Sequence, residues 1–177
     1  MMEAQLKEIW TIGHSTRTIE EFIAMLQSFD IASVADVRQF PGSRKFPQFN
    51  KEELSLSLRE SKIDYYHILK LGGRRKSNAD SKNTAWRHPA FRAYADYMET
   101  SSFTEGIASL QDLASNNRVA YMCSEALWWG CHRRLISDYL KAQGWTVNHI
   151  MGISKSEEHR YLPPASFVNG RLDYSSE

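Results

Sequence analysis

The sequence predicts an α/β fold: a single compact domain over residues 1–177, with a mainly parallel sheet of about five strands and helices on both faces, a Rossmann-like three-layer sandwich. Two observations predict it. Short apolar, β-branched segments alternate with longer segments of helical period, the mark of successive βα units. The reactive side chains fall just after the short segments, where open parallel sheets bind ligands. A length of 177 residues suits one domain and can bury a core without disulfides.

The elements follow in order. "EIWTIGH" is apolar and β-branched and predicts a first strand ending at Gly13-His14. In "TIEEFIAMLQSF", Ile19, Phe22, Ile23, Leu26 and Phe29 keep helical spacing, and Thr18 with Glu21 has the spacing of a capping box. "ASVADVR" predicts a second strand running up to Asp36 and Arg38. A Pro- and Gly-rich basic loop, "QFPGSRKFPQF", leads to a second capping-box pattern, Asn50 with Glu53, before the helix "KEELSLSLRESK". "DYYHIL" predicts a third strand, and the polar, unpatterned "KLGGRRKSNADSKNTAWRHPA" predicts a mobile loop. Two helices follow, "FRAYADYMET" and a longer one near Phe103. "NRVAYMCSE" predicts the fourth strand, "CHRRLISDYLKAQG" a helix ending at Gly144, and "TVNHIM" the fifth strand. The core is expected over about residues 9–151, followed by an irregular tail, 152–177.

Composition narrows the function. No stretch of about 18 apolar residues exists, so no membrane span is expected. "MMEAQLKEIW" lacks a basic segment followed by an apolar one, so it does not read as a secretory signal. Two cysteines without such a signal point to free thiols in a reducing cytoplasm. The formal charge of +1 hides an asymmetry: from Arg38 to Arg92 there are 13 Lys+Arg against 5 Asp+Glu. A basic middle suggests an anionic partner, a small anionic molecule or a nucleic acid. The plain alternative is a solvated surface.

If the sheet is parallel, the ends of the first four predicted strands meet at one rim. His14, Ser15 and Arg17 follow the first; Asp36 and Arg38 end the second; His67 and Gly72-Gly73-Arg74-Arg75 belong to the third; Cys123, Ser124 and Glu125 end the fourth. "MCSEALWWGCHRRLI", residues 122–136, holds both cysteines, Glu125, Trp128, Trp129, His132, Arg133 and Arg134. Cys131 opens a predicted helix beside two arginines, and both features favour a thiolate. Cys123 lies beside Glu125, which disfavours one. Cys131 is therefore expected to be the more acidic thiol, a nucleophile or redox-active group. The plain reading is that both thiols pack the core. His132 adjoins Cys131 in sequence, and neighbours on a helix do not face each other, so His14 is the better base. Glu125 is a candidate acid/base or an ion-pair partner of Arg38 or Arg133. Arg17, Arg38 and Arg133 are the candidate anion holders, and Gly72, Gly73 and Arg74 a phosphate cradle or a simple turn. Trp86, Trp128 and Trp129 are candidates to stack on unpaired bases, or they pack the core.

Cofactor motifs are missing: there is no GxxxxGK[ST] and no GxGxxG. No cofactor is expected. A zinc ion held by Cys123, Cys131, His132 and His14 is a lesser alternative, because the C-x7-C-H spacing fits no zinc pattern.

"TIGHSTRTIEEF", "DVRQFPGSRKFPQFN", "YYHILKLGGRR", "FRAYADYM" and "MCSEALWWGCHRRLI" occur in this order and together resemble the family called domain of unknown function 488. The resemblance covers roughly residues 9–151. It implies an α/β fold and small bacterial or archaeal proteins, and supplies no reaction. Its characteristic positions fall here on Gly13, His14, Ser15, Asp36, Arg38, Pro41, Leu71, Gly72, Gly73, Cys123, Glu125, Cys131, His132 and Arg133. Where members often carry a short polar or acidic stretch, this chain has "ALWWG". "CHRRLI" is also locally similar to the active-site stretch of alkylguanine-DNA alkyltransferases, whose other motifs are absent. The sequence thus favours a small cytoplasmic enzyme with a Cys/Glu/His site and arginines for an anionic, nucleotide-like substrate. The alternatives are a non-catalytic nucleic-acid-binding module, linked to DNA repair, and a metal-binding or redox-sensing protein.

Overall fold

A computed structural model describes residues 7–76 and 78–175. Residues 1–6, part of the segment read as no secretory signal, and the last two residues of the tail lie outside the described residues, as does Ser77 of the polar loop.

The alternating pattern folds into six strands of one sheet and five α-helices. The strands are β1 (Glu8–Gly13), β2 (Ser33–Asp36), β3 (Asp64–His67), β4 (Val119–Cys123), β5 (Thr146–Gly152) and β6 (Lys155–Glu158). The helices are α1 (Ile19–Gln27), α2 (Lys51–Glu60), α3 (Pro89–Tyr97), α4 (Ser101–Asn116) and α5 (Arg133–Ala142). The sheet order is β3-β2-β4-β1-β5-β6, parallel throughout except for β6.

Period-two alternation sends successive side chains to opposite faces. Ile9, Ala35, Val119, Tyr121 and Val147 join a core with Tyr94 of α3, Phe103 and Leu110 of α4, and Leu135, Ile136 and Leu140 of α5. Trp10, Ile12, Val34, Ala120, Met122 and Ile150 join a second core with Phe22 and Leu26 of α1 and Leu54 and Leu58 of α2. Helices therefore cover both faces of the sheet, as the sequence predicts.

This arrangement creates a switch point. From β1 the chain moves outward to β2 and β3 along the α1/α2 face. It returns along the α3/α4 face to insert β4 between β2 and β1. The segments following β1 and β4 leave for opposite faces, which opens a crevice at their carboxyl ends.

Local signals fare unevenly. The Thr18 side chain caps α1 by accepting from the Glu21 N–H at 3.1 Å. Asn50 caps α2 without a side-chain bond, because its Oδ1 accepts from the Ser43 N–H and orders the basic loop instead. The segment expected to be mobile is tied to α3: Ser81 Oγ and Asn83 Nδ2 donate to Asp96, and Trp86 is buried against Phe91 and Tyr174. The tail is not irregular. β6 pairs antiparallel with β5, β7 (Ser166–Val168) and β8 (Arg171–Asp173) form a hairpin, and Tyr174 enters the α3–α5 core. The sixth strand reads "KSEE", a polar edge strand with no apolar alternation to reveal it. Among the described residues no helix is long and apolar enough to cross a membrane.

Candidate functional site

The crevice is a cleft of about 860 Å³, within the usual range for small-molecule sites. The segment after β1 contributes His14, Ser15 and Thr16; that after β2, Arg38, Phe40 and Ser43. The segment before α3 contributes Gly73, Arg74 and His88, and α3 itself Phe91; the end of β4 contributes Cys123, and the segment after it Ser124, Glu125, Cys131 and His132.

At its floor stand the two thiols. Both are free and buried, Cys123 at 3% exposure and Cys131 at 9%, with their sulfurs 3.0 Å apart. β4 carries Cys123 to the rim, and the turn over Trp128–Gly130 brings Cys131 back beside it, just ahead of α5. Arg133, the first residue of α5, is 1% exposed and folds its guanidinium over this pair. Its Nε donates to Cys131 Sγ at 3.4 Å, its Nη1 to Thr11 Oγ1 at 3.1 Å and its Nη2 to the Glu125 carbonyl at 2.7 Å. Gly13 is required here, because a Cβ at that position would overlap the Glu125 carbonyl and crowd Arg133 Nη2.

The thiols separate in acidity. Burial alone would raise the Cys131 thiol; the hydrogen bond from Cys123 and the charge of Arg133 outweigh it and hold the thiol well below its ordinary value. Burial and its role as donor push Cys123 well above. Burial also opposes the Arg133 charge, but the sulfurs more than compensate. The geometry places the Cys131 sulfur between a cation and a neighbouring thiol. Arg134 takes no part: it covers the Trp86 ring and donates to the Leu162 and Pro163 carbonyls.

His14 is buried, stacks on Phe49 at 4.3 Å, and bonds through Nδ1 to the Ser15 carbonyl at 2.9 Å. That acceptor requires Nδ1 to carry the proton, which leaves Nε2 as a lone-pair base. Burial lowers its pKa to about 4, so the ring is neutral at pH 7. His132 is a tie between elements. Its Nε2 donates to the Val37 carbonyl at 2.8 Å, and its ring lies so close to Gly73 that a side chain there would collide with it.

Arg38 lines the cleft but is bound to Asp36: Nε and Nη2 donate to the carboxylate at 2.9 and 2.7 Å, and Tyr65 adds its hydroxyl. Asp36 is fully buried beneath the cleft. Glu125 lines the cleft with an exposed side chain, and its backbone carbonyl rather than its carboxylate meets Arg133. The expected ion pair from Glu125 to Arg38 or Arg133 is not formed, because Asp36 already holds Arg38 and Arg133 points inward to sulfur. Arg17 lies outside the cleft wall, bonding the Gly13 carbonyl and pairing with Glu21 along α1. Gly72 sits against Gln39, also outside the lining. Trp128 is not a stacking platform: it is 1% exposed, stacks on His149 at 4.4 Å and donates to Glu157. Trp86 is likewise buried, and Trp129, the more exposed of the pair, packs edge-on against Trp128 away from the cleft lining. At the rim the exposed Arg74 lies over the exposed Phe40 ring, 5.3 Å from its centroid.

A buried polar chain leads away from Arg133. Thr11 Oγ1 meets His149 Nδ1 at 2.6 Å; His149 Nε2 meets His159 Nδ1 at 2.9 Å; His159 Nε2 meets Asp138 Oδ1 at 2.7 Å; Tyr174 closes it on Asp138 Oδ2 at 2.7 Å. Sequence reading passed over these residues. The available signals were a histidine inside the apolar strand "TVNHIM" and an aspartate three residues after Leu135 on the apolar face of α5.

Among the described residues, no group of three or more His, Cys, Asp or Glu is placed to hold a metal ion. Cys123, Cys131, His132 and His14 do not form such a group.

A family model described as "Domain of unknown function DUF488" matches residues 18–140, more than half of the chain. No curated protein and no solved structure matches it significantly.

Proposed function

Since the chain belongs to the family described as domain of unknown function DUF488, whose description assigns no reaction, we propose from the site alone that this protein is a thiol-dependent enzyme acting on a small anionic substrate. One observation carries the reading: Cys131 Sγ, at the floor of a cleft at the sheet's switch point, lies 3.4 Å from the buried Arg133 Nε. A buried thiol held as thiolate by a dedicated cation, and open to a cleft, is what nucleophilic catalysis requires. His14 Nε2 is the base that exchanges protons with the substrate, and Arg74, His88 and the free face of Arg38 supply the anion's contacts. Free thiols suit a reducing cytoplasm.

Arg74 lying over Phe40 at the rim supports a second reading, that the anion carries a base, as a nucleotide or nucleic-acid end does. On that reading the basic segment binds nucleic acid without catalysis, and binding weakens steeply with salt.

Alkylation by iodoacetamide followed against pH tests the first reading. Cys131 reacts with a depressed apparent pKa, Cys131→Ser abolishes the fast phase, and phosphate slows it. Arg74→Ala, an exposed change, removes the protection by phosphate without altering the melting temperature. A folded protein whose thiols both resist iodoacetamide up to pH 9 refutes the reading.

A further inference from the structure

We propose that the reaction is reduction of an anionic disulfide, with Cys131 as attacking thiol and Cys123 as resolving thiol. This rests on the nucleophile reading above and names its substrate class. The sulfurs stand 3.0 Å apart in the reduced, free state, and both line the same cleft. Acyl or alkyl transfer gives a second thiol at that distance no task. Disulfide exchange requires one, because the mixed disulfide on the first thiol has to be attacked by another. The assignment of roles follows from position. Arg133 Nε donates to Cys131 Sγ, and the two sulfurs share a proton that either can donate, so the sulfur beside the cation, Cys131, is the one on which negative charge is gathered. Cys123 holds the proton in that bond and releases it only after Cys131 has lost its charge.

The steps balance. The Cys131 thiolate attacks one sulfur of the substrate disulfide; that S–S bond breaks, and the first thiolate departs with the electron pair. The Cys131 sulfur, now neutral, no longer holds the Cys123 proton, which passes to the departing thiolate. Cys123 then attacks Cys131 Sγ, the protein disulfide forms, and the second thiolate leaves and takes a proton from water. The protein dithiol is oxidised by two electrons, and the substrate is reduced to two thiols. An external dithiol returns the protein to its starting state. Arg133, bonded to Cys131 and close to Cys123, is placed to stabilise thiolate character at either sulfur as charge moves between them. The preference for an anion follows from the rim: Arg74 and His88 face the entrance, with Glu125 as the opposing charge.

The test uses the full reduced chain with oxidised glutathione, an anionic disulfide, and bis(2-hydroxyethyl) disulfide, a neutral one. Intact mass after acid quenching is expected to show wild type losing two hydrogens, Cys123→Ser stalling with one glutathionyl group on Cys131, and Cys131→Ser unmodified. The anionic disulfide reacts faster than the neutral one, and added salt narrows the difference. Circular dichroism of each variant establishes that it is folded. A wild type that stops at the mixed disulfide, with Cys123 still free to alkylate, overturns the proposal. So does a wild type inert to both disulfides while iodoacetamide labels Cys131; in both cases the nucleophile reading stands. If iodoacetamide labels neither thiol, both ideas fall.

Discussion

Arg133 Nε stands 3.4 Å from Cys131 Sγ, and this buried cation has sulfur rather than a carboxylate as its acidic partner. Among the described residues the salt bridges are Arg17–Glu21, Arg38–Asp36 and Lys70–Glu105, Asp138 is hydrogen-bonded by His159, and none of these involves Arg133. A buried charge without compensation is expensive, so the thiolate and the cation support each other.

That mutual support makes Arg133 the most informative substitution. Arg133→Met removes donors to Cys131, Thr11 and the Glu125 carbonyl together. Hydrogen bonds from charged groups are worth about 1.5–3 kcal/mol each. Part of that loss is recovered when Cys131 takes up a proton. The expected destabilisation is about 3 kcal/mol by urea unfolding, with the Cys131 alkylation profile moving toward that of an ordinary thiol. Arg133→Lys keeps the charge but not the three-way reach, and falls between. An unchanged alkylation profile in Arg133→Met would show that the cation does not set the thiol's state.

Stability should fall on mild acidification. Burial lowers His14 to about 4 and His149 to about 2, both from 6.5. Each ring is neutral in the folded protein, while the unfolded chain binds its proton below pH 6.5. The unfolded state therefore holds more protons in this window, and stability rises with pH there. It is complete above pH 6.5 and declines as pH falls toward each folded value. Each group contributes a slope of up to about 1.4 kcal/mol per pH unit. Urea unfolding at pH 7, 6 and 5 measures it together with the slopes of His132, which burial also lowers, and of the Cys131 thiol, and His14→Gln is expected to remove the His14 share, up to about 1.4 kcal/mol per pH unit. Equal slopes for variant and wild type would place the acid sensitivity elsewhere.

What the sequence disclosed and what it hid have one cause. Strands β1 to β5 and all five helices follow from side-chain period, since each buries an apolar face. The cleft was legible as well, because parallel strands leave their carboxyl ends on one rim: His14, Arg38, Cys123, Glu125 and Cys131 line it. Period carries no information on polar pairing. It did not reveal that Asp36 occupies Arg38, that Arg17 turns along α1, or that Trp128 is consumed by His149 and Glu157. The partners of Trp128 are distant in sequence, and the Arg38–Asp36 and Arg17–Glu21 pairs, though local, are polar pairings that side-chain period does not mark. For the same reason the polar strand β6 and the contacts of the tail went unread.

Proton positions in the buried chain follow from its arginine end. Arg133 Nη1 has only hydrogens to offer, so Thr11 Oγ1 accepts from it and turns its own hydrogen to His149 Nδ1. His149 Nδ1 is then an acceptor, and since the ring is neutral, its Nε2 carries the proton and donates to His159 Nδ1. His159 donates from Nε2 to Asp138, whose other oxygen accepts from Tyr174. The bonds from Arg133 to Asp138 thus all point from the arginine toward the carboxylate, and neutral rings satisfy every atom of the chain. Nitrogen-15 spectra of the histidine rings read this out: in both His149 and His159, Nε2 should be the donor and Nδ1 the acceptor. Tyr174→Phe removes one donor at the far end, and it is expected to cost about 1 kcal/mol while leaving both tautomers in place. Thr11→Val removes both the acceptor for Arg133 and the donor to His149. It should cost more, about 1–3 kcal/mol for the stranded buried partners, and free His149 to exchange its tautomer. A proton on Nδ1 of either ring in the wild type would reverse the chain's direction. Thr11 would then have to give its hydrogen to another partner, and the arginine-to-carboxylate polarity would be wrong.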